Sequence, residues 1–307
     1  MRRLILCILA AWMGIAVRAD VNSFLEFSVG GGWSTLTYKL STPDSRLSAN
    51  RNGSYNLDFH IGYGLMFNTY VGLGIGADVS RFGAKSEVSG TMQWNDVTDT
   101  DGEKYNHLAV INSWADRQEL YYVQVPLIIY LNIPTNSIVS LDAEVGVKYA
   151  YPFMRNASYQ AQVTHSGQYP AWGVTLTDMP NHGFYTADLK GSTHFDALHQ
   201  VFVFAKIGIA MPIGQRTSFF AHVYADCGTM KAINPNGASE FGLREDTPEA
   251  ESMHYFMQPA TSVMQTDMPS GSFLPVGVGL EAGIRVHFTS HSHKYPCRCL
   301  IEDYYFY

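Results

Sequence analysis

The titratable side chains of this sequence keep a regular company. Glu26, Asp58, His60, Asp78, Asp142, Glu144, Lys148, Lys206, His222, Asp226, Glu281 and Arg285 each stand between two apolar neighbours. Carboxylates, imidazoles and ammonium groups in such a set could work as general acids and bases, or line an ion pathway. They could equally pair with one another, because charges taken out of water must be partnered and hydrogen-bonded. The face they share is rich in glycine, at Gly72, Gly74, Gly76, Gly277, Gly279 and Gly283. That leaves room for long Lys and Arg side chains rather than for a substrate. The expectation is therefore a satisfied charge network filling a narrow lumen.

Other chemistry fares less well. Ser, His and Asp are present, but no G-x-S-x-G motif occurs. No catalytic residue is assigned, no enzymatic activity is expected, and no cofactor is implied. Asp99 and Asp101 in "DVTDTDG" could bind calcium, but no Glu follows at the twelfth position of an EF-hand loop, and solvated loop acids are expected. Trp94, Trp114 and Trp172 lie in polar segments and are candidate contact anchors for a partner. His291, His293, Cys297 and Cys299 could together make a tetrahedral zinc site. Their H-x-H and C-x-C spacings are tighter than usual, and an oxidising compartment disfavours free thiols. No metal is expected there.

The elements that must position these residues have period two. In "SYNLDFHIGYGLMFN", residues 54–68, Tyr55, Leu57, Phe59 and Ile61 alternate with Asn56, Asp58, His60 and Gly62. Such a strand has one apolar and one polar face. The same template fits segments near 24–39, 70–84, 118–133, 137–151, 197–213, 217–230 and 274–288. In the segment near 197–213, Phe202 and Phe204 share the polar face, so Lys206 decides the register. "FNTY", "IPTN" and "IGQR" are tight turns, whereas polar stretches near 41–53, 85–117, 153–196 and 231–273 read as long loops. Strictly alternating short and long connections are not what a β-sandwich predicts. They fit an outer-membrane barrel with an even strand count. The expected fold is all-β: an eight-stranded antiparallel transmembrane β-barrel with short periplasmic turns and long extracellular loops. Heights above the turns suggest the pairs Glu26–Arg285, Glu144–Lys206 and His60–Asp78. Pro126 falls inside the fourth strand, where it cannot donate to the ladder, so a local bulge is expected.

Two strands also carry a resemblance. "YYVQVPLIIYL", residues 121–131, is similar to the Y-x-[QE]-[IV]-P-L strand of small outer-membrane barrels of the Bacteroidetes, the PorT-like family. "GVGLEAGIRVHF", residues 277–288, resembles their last strand, with a terminal aromatic of the kind that barrel-insertion machinery reads. The strand count and loop order resemble the transmembrane half of OmpA. Only residues 289–307 follow, so the peptidoglycan-binding domain that often ends OmpA proteins is not expected.

The ends and the composition agree. Arg2 and Arg3, the apolar run Leu4–Ala16, and Val17 and Ala19 before Asp20 have the layout of a secretory signal peptide over residues 1–19. Residues 20–288 would form the barrel and 289–307 a periplasmic tail. The chain has 20 basic and 27 acidic residues, and the leader would take Arg2, Arg3 and Arg18 with it. That acidity argues against nucleic acid as a partner. Past Cys7, an odd and sparse set of Cys227, Cys297 and Cys299 is no disulfide framework. The expected partners are outer-membrane lipid, the insertion machinery, and an unknown envelope protein or extracellular ligand. The expected role is structural or surface-interacting through the loops, with a gated small-solute channel or a component of a transport or secretion assembly as the alternative.

Overall fold

Alternation of β-branched and aromatic residues with small or polar ones builds long strands that bury one face only. A computed structural model describes residues 22–42, 45–99, 101–135, 139–234, 262–266 and 268–288. The predicted leader and the tail with His291, His293, Cys297 and Cys299 lie outside them. Eight long strands run β1 (Asn22–Leu40), β2 (Leu47–Met66), β3 (Val71–Thr98), β4 (Lys104–Pro134), β5 (Ser140–Tyr169), β6 (Gln200–Pro212), β7 (Thr217–Gly228) and β8 (Pro269–Phe288). Each pairs antiparallel with its sequence neighbours, and β8 returns to pair with β1, from Ser23 opposite Phe288 to Leu40 opposite Pro269. The ring is closed, so no strand of it is left with an open edge inside a bilayer.

Its polarity is inside out. Val29, Phe59, Val125, Leu127, Val203, Ile207 and Leu280 face outward and are exposed, whereas the charged set faces inward and is buried. An exposed apolar band around a closed antiparallel ring is the surface of a membrane-spanning barrel. Among the described residues no helix is long and apolar enough to cross a membrane. The tight turns at 67–70 and 213–216 fall where expected; the predicted turn 133–136 lies partly outside the described residues, between the end of β4 at Pro134 and the start of β5 at Ser140. At the first, the Asn68 side chain accepts hydrogen bonds from the backbone N–H of Tyr70 (2.7 Å) and Val71 (2.8 Å).

Three expectations need correction. The polar stretches 85–117 and 153–196 are largely not loops. β3 runs on to Thr98, β4 starts at Lys104, and β5 continues to Tyr169, with Thr186–Thr193 paired along its edge. The alternation persists there, with Val88, Ala109, Ile111, Trp114, Ala161 and Val163 buried on one face. The polar outer face disguised it. Val263 and Met268, from the connection between β7 and β8, pack onto the same buried face. Second, Pro126 makes no bulge. Pairing of β3 with β4 lapses between Ile75–Leu127 and Asp78–Gln124 and resumes in unchanged register. Losing two ladder positions accommodates the missing N–H without kinking the strand. Third, most of the room left by the inward glycines goes to rings rather than to Lys and Arg. A Cβ on Gly74 would lie 2.5 Å from the Tyr130 ring, one on Gly279 2.8 Å from Tyr224, and one on Gly283 2.5 Å from Phe220.

The interior is filled in layers. Nearest the tight turns, Phe24, Ile128, Tyr130 and Phe204 pack together. The charged belt lies next. Beyond it, Leu36, Phe82, Leu120, Tyr122 and Phe202 form an apolar layer, with Phe82 stacked on Phe202 at 5.0 Å.

Candidate functional site: a buried charge belt

Strand register brings the inward charges together. Glu26 on β1 lies opposite Arg285 on β8, Glu144 on β5 opposite Lys206 on β6, and His60 on β2 opposite Asp78 on β3, as the heights above the turns suggested. Arg285 is the hub of the half nearer the turns. Its Nε donates to Glu26 Oε2 (2.5 Å), Nη1 lies 2.7 Å from Asp142 Oδ2, and Nη2 donates to Glu144 Oε1 (2.6 Å). A planar guanidinium can serve several carboxylates in this way, whereas an ammonium is a point charge. The rings of Phe24, Tyr130 and Phe220 surround it, with centroids 4.7–5.3 Å from its Cζ. Lys206 joins Glu144 (3.3 Å) to Glu281 (2.8 Å), and Ser28 donates to Glu281 (2.5 Å). His222 Nε2 meets Asp142 Oδ2 at 2.9 Å.

The other half centres on Lys148. Its Nζ lies 3.1 Å from Asp78, 3.2 Å from Asp226 and 3.9 Å from Asp58. Ser80 donates to Asp58, and Tyr224 donates to Asn56 Oδ1 (2.6 Å). His60 bonds Asp78 through Nδ1 and approaches Glu26 through Nε2 (3.5 Å), linking the two halves. All twelve predicted residues thus belong to one belt, and each is no more than 6% exposed. Asp142, Glu144 and His222 approach within 4.8 Å of one another, a spacing that could suit a metal. However, the facing carboxylate oxygens of Asp142 and Glu144 already bind Arg285. The arrangement is an ion-pair network that ties the strands to one another across the lumen.

The three tryptophans do not share a surface. Trp114, a predicted contact anchor, is 1% exposed in the core of the tall sheet that β3, β4 and β5 form beyond the apolar band. Trp94 is half-buried against His107, with ring centroids 5.7 Å apart. Only Trp172 is exposed, stacked on Tyr169 at 4.8 Å. Asp99 is occupied by its own turn: it accepts from the backbone N–H of Asp101 (3.0 Å) and Glu103 (2.9 Å), and the Tyr169 hydroxyl donates to it (3.0 Å).

Sequence reasoning missed two features of the tall sheet. His107 Nε2 and His165 Nδ1 meet at 3.0 Å among Tyr105, Tyr169 and Phe184. Burial pushes the two imidazoles down to about 3 and about 4. Asp116 accepts from the Val263 backbone N–H (2.7 Å) and the Gln118 amide (2.7 Å), and burial pushes its carboxyl up to about 6. The alternation Tyr105–His107–Ala109–Ile111 carried the signal for the first.

No protein-family model and no curated protein matches the chain. Among solved structures, it is similar to Ail, the attachment invasion locus protein of Yersinia pestis, at 11% identity and a TM-score of 0.30, covering 88% of this chain and all of that one. The outer membrane protein OprG from Pseudomonas aeruginosa matches at 11% identity and 0.30, over 86% and 96% of the two chains. The translocator domain of the autotransporter NalP from Neisseria meningitidis matches at 9% and 0.23, over 91% and 92%.

Proposed function

We propose that this chain is a non-enzymatic outer-membrane barrel whose lumen is stopped and whose work is done outside the bilayer by the tall sheet of β3, β4 and β5. One observation supports this reading: two buried apolar layers lie on either side of the buried charge belt. An eight-stranded barrel is just wide enough for its own side chains. The strands that rise beyond the apolar band offer a surface instead. β4 has 31 residues and β5 has 30, where about 9–11 suffice to cross a bilayer. The signal-peptide-like layout of residues 1–19 and the two motif strands that resemble the PorT-like family support an outer-membrane location with periplasmic termini. Bilayer lipid and the insertion machinery are its general partners, and the tall sheet is where an envelope protein or extracellular ligand would dock.

Planar-bilayer conductance tests the reading. The parent should pass no steady current, and Arg285→Ala should either leak or unfold at lower urea. Steady conductance by the parent would establish the alternative, a gated small-solute channel.

A further inference from the structure

The outer face of the tall sheet carries a row of side chains that the stopped lumen leaves without a role. Register places Asn52, Lys85, Arg117, Ser158 and Ser192 side by side on five neighbouring strands. With strands about 4.8 Å apart, the row is roughly 19 Å wide. Each member carries a hydrogen-bond donor and none carries an acid. Lys85 and Arg117 are direct cross-strand partners. Like charges in that position destabilise a sheet unless something neutralises them. Nothing does so among the described residues. The nearby Arg81 and Arg155, by contrast, are paired with Glu119 (2.7 Å) and Asp196 (4.0 Å). Of the flanking acids, Glu119 is therefore engaged, and Glu87 lies one row farther out, opposite Ala115.

The height of the row identifies what could neutralise it. Four residues nearer the membrane, Arg81 lies 3.5 Å from the ring centroid of Tyr55 and 6.0 Å from that of Tyr121. Tyr55 and Trp33 are exposed there, and the apolar band begins below them at Leu57, Val79 and Val123. Exposed tyrosine and tryptophan at the edge of an apolar band mark the membrane–water interface. Four residues of strand span about 13 Å, or about 9 Å along the membrane normal at a tilt near 45°. That sets the row at the outer edge of the headgroup layer, which is about 5–7.5 Å deep, within reach of Lys and Arg side chains that extend toward it.

We propose that this row binds the phosphate-bearing headgroup of an outer-leaflet lipid. Lys85 and Arg117 supply the charge, and Asn52, Ser158 and Ser192 donate to the remaining anionic oxygens. The inference rests on the outer-membrane reading above. The test uses the full-length mature barrel in phosphatidylcholine nanodiscs doped with bis-phosphorylated lipid A, or with the same lipid after phosphatase treatment. Lipid binding is titrated by native mass spectrometry for the parent, for Lys85→Gln/Arg117→Gln, and for the control Lys39→Gln/Lys104→Gln. Each sample is first checked for heat-modifiable gel mobility, which reports barrel formation separately from lipid binding. The Lys85/Arg117 variant should bind the phosphorylated lipid roughly 10- to 30-fold more weakly than parent or control. The dephosphorylated lipid should not distinguish the three, and millimolar inorganic phosphate should not displace the lipid. Equal affinity of a correctly formed parent and variant would overturn the proposal alone, and displacement by inorganic phosphate would replace it with a soluble-anion site. A parent without heat-modifiable mobility would overturn the barrel reading itself.

Discussion

Arg285 holds three carboxylates at once, so its loss leaves three buried acids short of a counter-charge. Breaking a buried pair in this way costs about 3–5 kcal/mol. Arg285→Ala and Lys148→Ala should each lower the unfolding free energy obtained from urea titration of the refolded barrel by that amount, and the exposed Asp101→Ala should change it by less than about 0.5 kcal/mol. Of the partners of Arg285 only Glu26 was legible in the sequence, because period-two alternation fixes facing and short turns fix height for strands that meet directly; Asp142 and Glu144 reach Arg285 across the lumen, where counting along the strands gives no pairing. A second residue-scale prediction concerns pH. The Asp116 carboxyl, raised by burial from an ordinary 3.8 to about 6, holds its proton more tightly in the folded chain. Its contribution to stability is complete below about 3.8 and is lost as pH rises through about 6. Asp116→Asn keeps the acceptor for Val263, so its stability relative to the parent should rise between pH 4 and pH 7. His107 and His165, lowered from 6.5 to about 3 and about 4, carry the opposite sign: their contribution is complete above 6.5 and lost as pH falls through about 4. The alternation Tyr105–His107–Ala109–Ile111 places His107 on the buried face, but neither titration shift was legible, because both depend on what the connection between β7 and β8 and the far ends of β4 and β5 bring together.

At the scale of the element, the tall sheet separates what composition can tell from what it cannot. Strand two was readable because both its faces are uniform: Leu57, Phe59 and Ile61 out, Asp58 and His60 in. The segment "EVSGTMQWNDVT" hides the same alternation, because its outer face is polar and its register shifts twice, at Val88/Gly90 and at Trp94/Val97. Composition made it a loop; the ladder makes it strand. Amide hydrogen exchange distinguishes the two. Backbone amides of residues 106–118 and 154–168, paired across β4 and β5, should be protected to a degree that no solvated loop reaches. Trp114 anchors that sheet, buried against Ala109, Ile111 and Val163. Trp114→Ala should cost about 3–5 kcal/mol locally, seen as faster exchange in the sheet with the membrane band unchanged.

For the whole molecule, closure is the property from which the rest follows. The meeting of β1 with β8 was legible from the even strand count and the order of the turns, and their register runs nearly unbroken, shifting once at Thr37/Tyr38. Unboiled protein should migrate differently from boiled protein in a denaturing gel, since a closed ladder resists detergent. Cysteine placed at the exposed Asp101 should react with an impermeant label on intact cells, and cysteine at Thr69 should not. The layered interior matters to the envelope that carries the protein. An open pore adds permeability with every copy inserted, so a cell must limit its number or gate it. On the stopped-lumen reading proposed above, a barrel closed by Phe24 and Tyr130 on one side and by Phe82 and Phe202 on the other would behave electrically as insulation. Its abundance would then be uncoupled from leakage, and a surface could be tiled with it at whatever density the outer sheets require.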